Sequence, residues 1–282
     1  MRRKILINAI FIIGLILCSY PIISNLIESY YQKNIIATYS KNISNKEAKD
    51  LEKEYKRAIE YNEKLYSIQN TNIVNNKDSK DNSILSEDSY NNILNMGNGV
   101  MGSIEIPKIN VNLPIYHNTA DEVLSVGAGH VFGSSLPVGG MNTRSFLTAH
   151  RGLPSAKLFT RLDELVEGDL FFIRILDKTL AYKIYDIKEI LPEDISSIRT
   201  EKGKDLVSLI TCTPYGINTH RLVVTGERVP FVQSEYDVIK KNPLSLRELL
   251  FISIPLIFIL TIGALKIKNR KKGEQKDELQ ES

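Results

Sequence analysis

Two stretches of the chain are apolar at almost every position, which predicts helices that cross a membrane. Residues 5–23 form the first run, and at about 1.5 Å per residue it nearly spans a hydrocarbon layer about 30 Å thick. Residues 249–265 form the second run, for which a buried core helix is the alternative. Basic residues precede the first run at 2–4 and follow the second at 266–272. Because positive flanks stay in the cytoplasm, we expect both termini inside and the intervening segment outside.

A cleaved signal peptide is the alternative for the first run, although no A-x-A-like cleavage site follows it. Downstream, apolar residues from 44 to 68 recur on one helical face, which predicts a helix, with a solvated charged stalk as the alternative. Ser44 and Glu47 have the S-x-x-E spacing of a capping box at its start. Residues 69–98 are rich in Asn, Ser and Asp, which predicts a loop or linker.

From residue 99 onward, short apolar or alternating runs separated by Gly, Pro and Asp predict a closed or nearly closed β-barrel. The runs are 103–106, 109–115, 144–149, 170–176, 180–190, 206–211 and 221–225. Leucines at 158, 162 and 165 have helical spacing and predict a short helix within 154–166. The predicted divisions are an N-terminal anchor (1–24), an exterior helical segment and linker (25–98), a β-barrel (99–232), a juxtamembrane linker (233–248), a transmembrane helix (249–265) and a basic cytoplasmic tail (266–282).

Composition excludes several classes of protein. The 282 residues include 36 basic and 33 acidic side chains, and the formal net charge of +3 is too small for a nucleic-acid binder that works by bulk charge. No glycine-rich phosphate-binding motif is present, so we expect no nucleotide cofactor. Two cysteines cannot form a disulfide framework or a zinc cluster, and no dense carboxylate cluster indicates calcium. We therefore expect neither a cofactor nor a metal.

Cys212 is the one cysteine outside the apolar runs and is a candidate nucleophile. It ends an apolar run just before a Thr-Pro-Tyr-Gly turn, where a scaffold can present a side chain to a cleft. The alternative is a buried small hydrophobe. We interpret Cys18, within the first apolar run, as a plain lipid-facing or packed hydrophobe. A thiol with a pKa of about 8.5 needs a base or a cation beside it to react at neutral pH.

His150 ends another strand-like run, and the turn after Cys212 returns Arg221 towards it, so these two residues are the candidate partners. The four histidines are His117, His130, His150 and His220. On spacing alone, each of them fits a structural role at least as well as a catalytic one, and Arg221 fits a surface ion pair.

Three motifs carry a resemblance to a known family. They are Leu209-Ile-Thr-Cys-Thr-Pro-Tyr-Gly-Ile-Asn-Thr-His-Arg221, Thr148-Ala-His-Arg-Gly-Leu-Pro154 and Gly102-Ser-Ile-Glu-Ile-Pro-Lys-Ile109. Over roughly residues 99–229 the chain resembles the sortases, specifically class C, the pilin-polymerising group. The resemblance implies a mainly β fold: a closed barrel of about eight strands with short helices, preceded by a helical segment and flanked by two transmembrane helices.

By this resemblance Cys212 would be the nucleophile, His150 the general acid and base, and Arg221 the cation that stabilises the oxyanion or positions the substrate. The implied reaction cleaves a Leu-Pro-x-Thr-Gly-like sorting signal between Thr and Gly and joins pilin subunits through isopeptide bonds to lysine. The implied location is the cell membrane of a Gram-positive bacterium, with the catalytic domain outside. Alternatives are a sortase that anchors proteins to peptidoglycan, an idle scaffold that binds pilins, and a hydrolytic cysteine protease.

One feature of class C is absent from the sequence. These sortases usually carry an Asp-Pro-aromatic lid ahead of the barrel, and residues 70–95 contain no proline. Either another group of this linker plugs the cleft, or the site is open.

Overall fold

The computed structural model describes residues 2–71 and 86–242 continuously. It also describes residues 244–245, 248–250, 253, 256–257, 259–264 and 268. The chain divides into two compact units, one of residues 1–20 with 243–282 and the other of residues 21–242. The second unit holds the strands and the candidate site.

Helix α1 (Arg2–Ser44) contains the first apolar run and continues well beyond it. Over Ala9–Ser44 it is the one helix among the described residues that is long and apolar enough to cross a membrane. In the second run the described residues between 249 and 264 are helical. A second membrane crossing, and with it the two-span topology, stays a prediction.

Helix α2 (Ala48–Thr71) confirms the helix predicted from residue 44, but it begins differently. The Ser44 hydroxyl donates to the Lys41 carbonyl at 2.9 Å, so this side chain closes α1. The first turn of α2 instead forms on the Glu47 carbonyl, which accepts from the Leu51 amide at 3.2 Å. The capping box predicted from Ser44 is therefore wrong, because the serine completes the preceding helix.

The linker predicted at 69–98 contains a further short helix, α3 (Glu87–Asn92). The Ser86 hydroxyl caps it by accepting a hydrogen bond from the Ser89 amide at 3.2 Å. Residues 72–85, which include much of the segment considered as a lid, lie outside the described residues.

Eight strands close into a barrel, which confirms the predicted fold class. They are β1 (Val100–Ile106), β2 (Val111–His117), β3 (Ala128–His130), β4 (Thr143–Thr148), β5 (Leu170–Ile175), β6 (Lys178–Ile190), β7 (Asp205–Thr213) and β8 (His220–Val229). The order around the barrel is β1-β2-β3-β4-β7-β8-β6-β5. The β2–β3 and β4–β7 pairs are parallel and the other pairs are antiparallel. Two short helices, α4 (Asp121–Leu124) and α5 (Gln233–Asp237), lie outside the strands.

The helix predicted within 154–166 is wrong. The segment contains only a 3₁₀ turn at Leu162–Glu164, and Leu158 takes a left-handed conformation with φ of 42°, which an α-helix does not permit. Leu158, Leu162 and Leu165 are nonetheless all buried. Their spacing therefore indicated burial in an irregular segment rather than a helix.

The second unit's helical segments are tied to the barrel through backbone groups. The Tyr39 hydroxyl donates to the Met101 carbonyl at 2.7 Å and accepts from the Leu176 amide at 2.8 Å. The Asn62 side chain bonds both backbone groups of Leu136, at 3.0 and 2.7 Å. Because an unsatisfied buried polar group costs about 1–3 kcal/mol, these contacts fix where α1 and α2 dock.

Helix α3 is tied to β3 through a buried histidine. His130 Nε2 lies 2.8 Å from the Ser135 carbonyl oxygen, which can only accept, so Nε2 carries the proton. Nδ1 is then an acceptor, and the Tyr90 hydroxyl lies 2.9 Å from it. His130 is fully buried, and burial lowers its pKa to about 4. The folded state therefore favours the neutral ring.

This burial predicts that the protein loses stability in mild acid. In the unfolded chain His130 takes up a proton near pH 6.5, whereas in the folded chain it does so near pH 4. The contribution of the neutral, buried His130 to the free energy of unfolding is intact above pH 6.5. About 3 kcal/mol of it is lost as the pH falls from 6.5 to 4. We expect His130→Gln to remove that part of the pH dependence of the unfolding free energy, whatever its effect at pH 7. The control His220→Gln, which changes a half-buried histidine outside this hydrogen-bond network, should keep the His130-dependent part of the slope. Equal slopes for wild type and His130→Gln would contradict the prediction.

Candidate active site

The candidate cysteine and arginine face each other across two neighbouring strands. Cys212 on β7 and Arg221 on β8 are direct partners in the antiparallel ladder. Leu209, three positions before Cys212, and Leu222, next to Arg221, belong to the hydrophobic core. Since side chains alternate between the faces of a strand, Cys212 and Arg221 project to the outer face of the barrel.

The third candidate, His150, lies two residues after the end of β4, the strand that pairs with β7. Each residue of β4 pairs with the β7 residue 62 positions later, from Thr143 with Asp205 to Thr148 with Ile210. Beyond the strand end, the Ala149 amide still donates to the Ile210 carbonyl at 3.3 Å. Extended past the strand end, the same offset would place position 150 beside position 212, on the edge of β7 opposite the Arg221 edge.

A tight turn between β7 and β8 holds the arginine. The amides of Ile217 and Asn218 both donate to the Pro214 carbonyl, at 3.1 and 3.0 Å. Asn218 is in the left-handed region, with φ of 62°. Arg221 Nη1 then donates to the carbonyls of Asn218 and His220, at 3.2 and 3.0 Å. These acceptors are neutral, and Arg221 forms no ion pair with any described residue.

The other three histidines have different surroundings. His117 and His130 are buried, and each has both ring nitrogens within 3.1 Å of hydrogen-bonding partners away from Cys212. His220 pairs with Thr213 in the ladder, one position along from Cys212, and therefore projects to the opposite face. Of the four, His150 is the one whose position matches that of Cys212.

Both reactive candidates have uncommitted side chains. Cys212 is half-buried and is not in a disulfide. Within the described part of the chain, neither its thiol nor the imidazole of His150 forms a hydrogen bond. Catalytic hydrogen bonds are often long in enzymes without substrate and tighten when it binds. The arrangement therefore leaves both groups available to an incoming peptide.

A second arginine, which the sequence analysis did not single out, joins the histidine loop to the cysteine strand. Arg151 Nη1 donates to the Thr213 hydroxyl at 3.0 Å and to the Cys212 carbonyl at 3.4 Å. Its Nη2 forms an ion pair with Asp163 at 2.5 Å, and its side chain is only 3 % exposed. The sequence carries no signal for this role, because the burial of Arg151 and its pairing with Asp163 arise only in the folded chain.

Known proteins are similar to this barrel in both structure and sequence. The Sortase domain family matches residues 104–229. The crystal structure of sortase C1 from Streptococcus agalactiae is 41 % identical, covers 71 % of this chain and 100 % of that chain, and has a TM-score of 0.63. A sortase C structure from Streptococcus pneumoniae is 36 % identical, covers 70 % of this chain and 97 % of that chain, and has a TM-score of 0.59. Among curated relatives, Sortase A of Streptococcus agalactiae serotype III (strain NEM316) is 32 % identical over 131 residues, which is 45 % of this chain.

The closed eight-stranded barrel is the fold of these solved structures. The chain belongs to the sortase family, and the solved structures described above are sortases C. This confirms the family predicted from the three motifs. The chain spans about half, 52 %, of the length of the curated Sortase A that it matches.

The position of Arg151 predicts an effect on the reactivity of Cys212 beyond any effect on folding. We expect Arg151→Ala to lower the free energy of unfolding by about 2 kcal/mol, below the range for fully buried pairs because Asp163 is 24 % exposed. We also expect alkylation of Cys212 by iodoacetamide at pH 7 to slow several-fold, because the loop that carries His150 loses its tie to β7. The alkylation rate of Cys212 is measured with and without Arg151→Ala, each time in a Cys18→Ala background.

Arg161 provides a matched control. It is similarly buried and pairs with Glu164 at 2.7 Å, but it donates to the carbonyls of Ile109 and Asn242 rather than to β7. Arg161→Ala should destabilise the protein comparably and leave the alkylation rate unchanged. Equal slowing in both variants would mean that Arg151 acts only through stability.

Proposed function

We propose that this protein is a sortase that cleaves a Leu-Pro-x-Thr-Gly-like sorting signal between Thr and Gly and joins pilin subunits through isopeptide bonds to lysine. The observation that carries the proposal is the ladder pairing of Cys212 with Arg221, and the β4–β7 register, extended two positions past β4, would place His150 on the other side of Cys212. In this assignment Cys212 is the nucleophile, His150 the general acid and base, and Arg221 the oxyanion-stabilising cation.

In the first step the Cys212 sulfur attacks the carbonyl carbon of the signal's Thr, and the thiol proton passes to His150. Negative charge develops on the carbonyl oxygen, and the Arg221 guanidinium stabilises it. One such donor contributes roughly 3 kcal/mol in hydrolases. His150 then gives its proton to the Gly nitrogen as the peptide bond breaks, which leaves a thioester on Cys212 and a free amine as the leaving group.

In the second step a lysine amine of the next subunit attacks the thioester. His150 accepts a proton from that amine, the new amide bond forms, and the Cys212 sulfur leaves as a thiolate that regains the proton. One peptide bond is broken and one isopeptide bond is made, so the exchange needs no cofactor. The cycle returns Cys212 and His150 to their starting states.

The choice of pilin as partner is supported by the comparisons. The Streptococcus pneumoniae sortase C structure is described in terms of catalysis and pilin substrate specificity. The long apolar helix α1 supports a membrane tether that would keep the site near substrates at the cell surface. Anchoring of proteins to peptidoglycan, the alternative that the family resemblance left open, is the second candidate function. The two functions differ in the acceptor amine, which is a pilin lysine in pilus assembly and a peptidoglycan-derived amine in anchoring.

The nucleophile is tested with full-length protein, a sorting-signal peptide and a lysine-bearing pilin. We expect Cys212→Ala to form no thioester and no crosslinked pilin by mass spectrometry, because the attacking sulfur is missing. Cys18→Ala, which removes the other cysteine, should retain both products. Crosslinked ladders made by Cys212→Ala would refute the assignment, whereas transfer only to a peptidoglycan-derived amine would favour the anchoring function.

Arg221 is tested by a change that keeps its charge. We expect Arg221→Lys to lower kcat/KM about a hundredfold, because a guanidinium presents a rigid fork of donors and an ammonium does not. Arg228→Lys, on the same strand but distant from the turn, should remain within about twofold of wild type. An unchanged kcat/KM in Arg221→Lys would assign Arg221 a structural role instead.

A further inference from the structure

A cavity of about 310 Å³ lies close to the candidate site. Its lining residues are Arg144, Lys188, Ile190, Ile198, Arg199 and Glu201. Ile190 is the ladder partner of Arg221, which in turn faces Cys212. The cavity therefore begins one strand beyond the candidate oxyanion cation, on the same outer face of the barrel.

The charges around this cavity do not balance. Three cations line it, against the single carboxylate of Glu201. Glu201 already binds Arg144 Nη2 at 2.6 Å and Lys204 Nζ at 2.6 Å, and it accepts from the Tyr185 hydroxyl at 3.0 Å. The Lys204 hydrogen bond lowers the pKa of Glu201, so this carboxylate stays ionised, but its one charge is shared between two cations.

Donors in the cavity also lack acceptors. Arg199 forms no hydrogen bond or ion pair with any residue that the structure describes. Arg144 is buried, with a side chain only 4 % exposed, and its Nε has no hydrogen-bond partner. Lys188 has one partner, Asp186, at 3.4 Å, and both side chains are well exposed. Arg199 and Lys188 are exposed, so both can donate to a carboxylate that enters from solvent. Of the three cations only Arg144 is buried, and a buried donor such as its Nε is normally satisfied, so an additional acceptor fits here.

We propose that this cavity binds an acidic side chain of the donor peptide and so contributes to the choice of substrate. The inference rests on the proposed function, because the donor peptide is the substrate of that reaction. A carboxylate matches the fork of donors that an arginine presents, and it is attracted more strongly in a cavity partly shielded from water.

A peptide suits the cavity better than a small anion does. Two of its six lining residues, Ile190 and Ile198, are apolar and can pack against the stem of a side chain. Ile190 lies two strands from Cys212, which at about 4.8 Å per strand is about 10 Å. Side chains on one face of an extended peptide recur about every 6.6–6.8 Å, so a chain that presents its Thr carbonyl to Cys212 can place the tip of a nearby side chain at that distance.

The test measures binding to full-length Cys212→Ala, which separates recognition from chemistry. Fluorescent Leu-Pro-x-Thr-Gly peptides carry Asp, Asn or Lys at the x position or at one flanking position at a time. We expect at least one position where the Asp peptide binds about tenfold more tightly than the Asn peptide, with a preference that weakens at high salt. Adding Arg199→Glu should abolish or invert this preference in favour of Lys, and Lys188→Glu should weaken it.

Lys183→Glu is the matched control. Lys183 is an exposed residue of β6 outside the cavity lining, and its reversal changes the net charge by the same amount. It should leave the Asp preference unchanged. An Asp preference at no position, or one that Arg199→Glu and Lys188→Glu both leave intact, would overturn the proposal.

Two further outcomes are informative. Displacement of Asp and Asn peptides alike by inorganic phosphate, with no difference in their affinities, would assign the cavity to a phosphate ligand and overturn the peptide proposal. Absence of a thioester on the wild-type protein with every peptide would refute the proposed function. The preference for Asp over Asn peptides would still be tested by binding to Cys212→Ala, since binding requires no reaction.

Discussion

The parallel ladder between β4 and β7 is the constraint on which the site depends. Arg221 reaches Cys212 through a local hairpin, whereas His150 comes from a segment 62 residues earlier and has no local route to the cysteine. A slip of one residue in this ladder would move every β4 side chain to the other face. The Thr211 hydroxyl, which donates to the Ala149 carbonyl at 2.8 Å, and Arg151 both add contacts where the ladder ends. The assignment of His150 as the partner of Cys212 therefore depends on this register rather than on a direct bond between the two side chains.

The strands could be predicted where the sequence alternates, and errors arose where tertiary contacts override local pattern. β3 was missed because Ala128–His130 is too short to show a period, and it is held by pairing with β2 and β4. The leucines of 154–166 were read as a helix because burial alone can produce helical spacing. The role of Ser44 at the end of α1 depends on where that helix stops, which a four-residue motif does not determine.

The residues of the candidate site also differ in how far the sequence alone could predict them. Cys212 and Arg221 were accessible to sequence reasoning because a hairpin turn joins them. His150 was one of four candidates until the resemblance selected it, and its register with β7 gives that choice a geometric basis. Arg151 and the cavity could not be found from the sequence, because their partners Asp163 and Glu201 lie on loops whose approach depends on the closed barrel.

The two arginines nearest the cysteine differ in a way that bears on catalysis. Arg151 is buried and its charge is balanced by Asp163, so its fork is committed to holding two segments together. Arg221 donates only to neutral carbonyl oxygens and has no carboxylate partner among the described residues. A cation that is oriented but not neutralised retains its attraction for an anion that forms only during the reaction, and it needs little reorganisation to act. That contrast supports Arg221, rather than Arg151, as the group that meets the oxyanion.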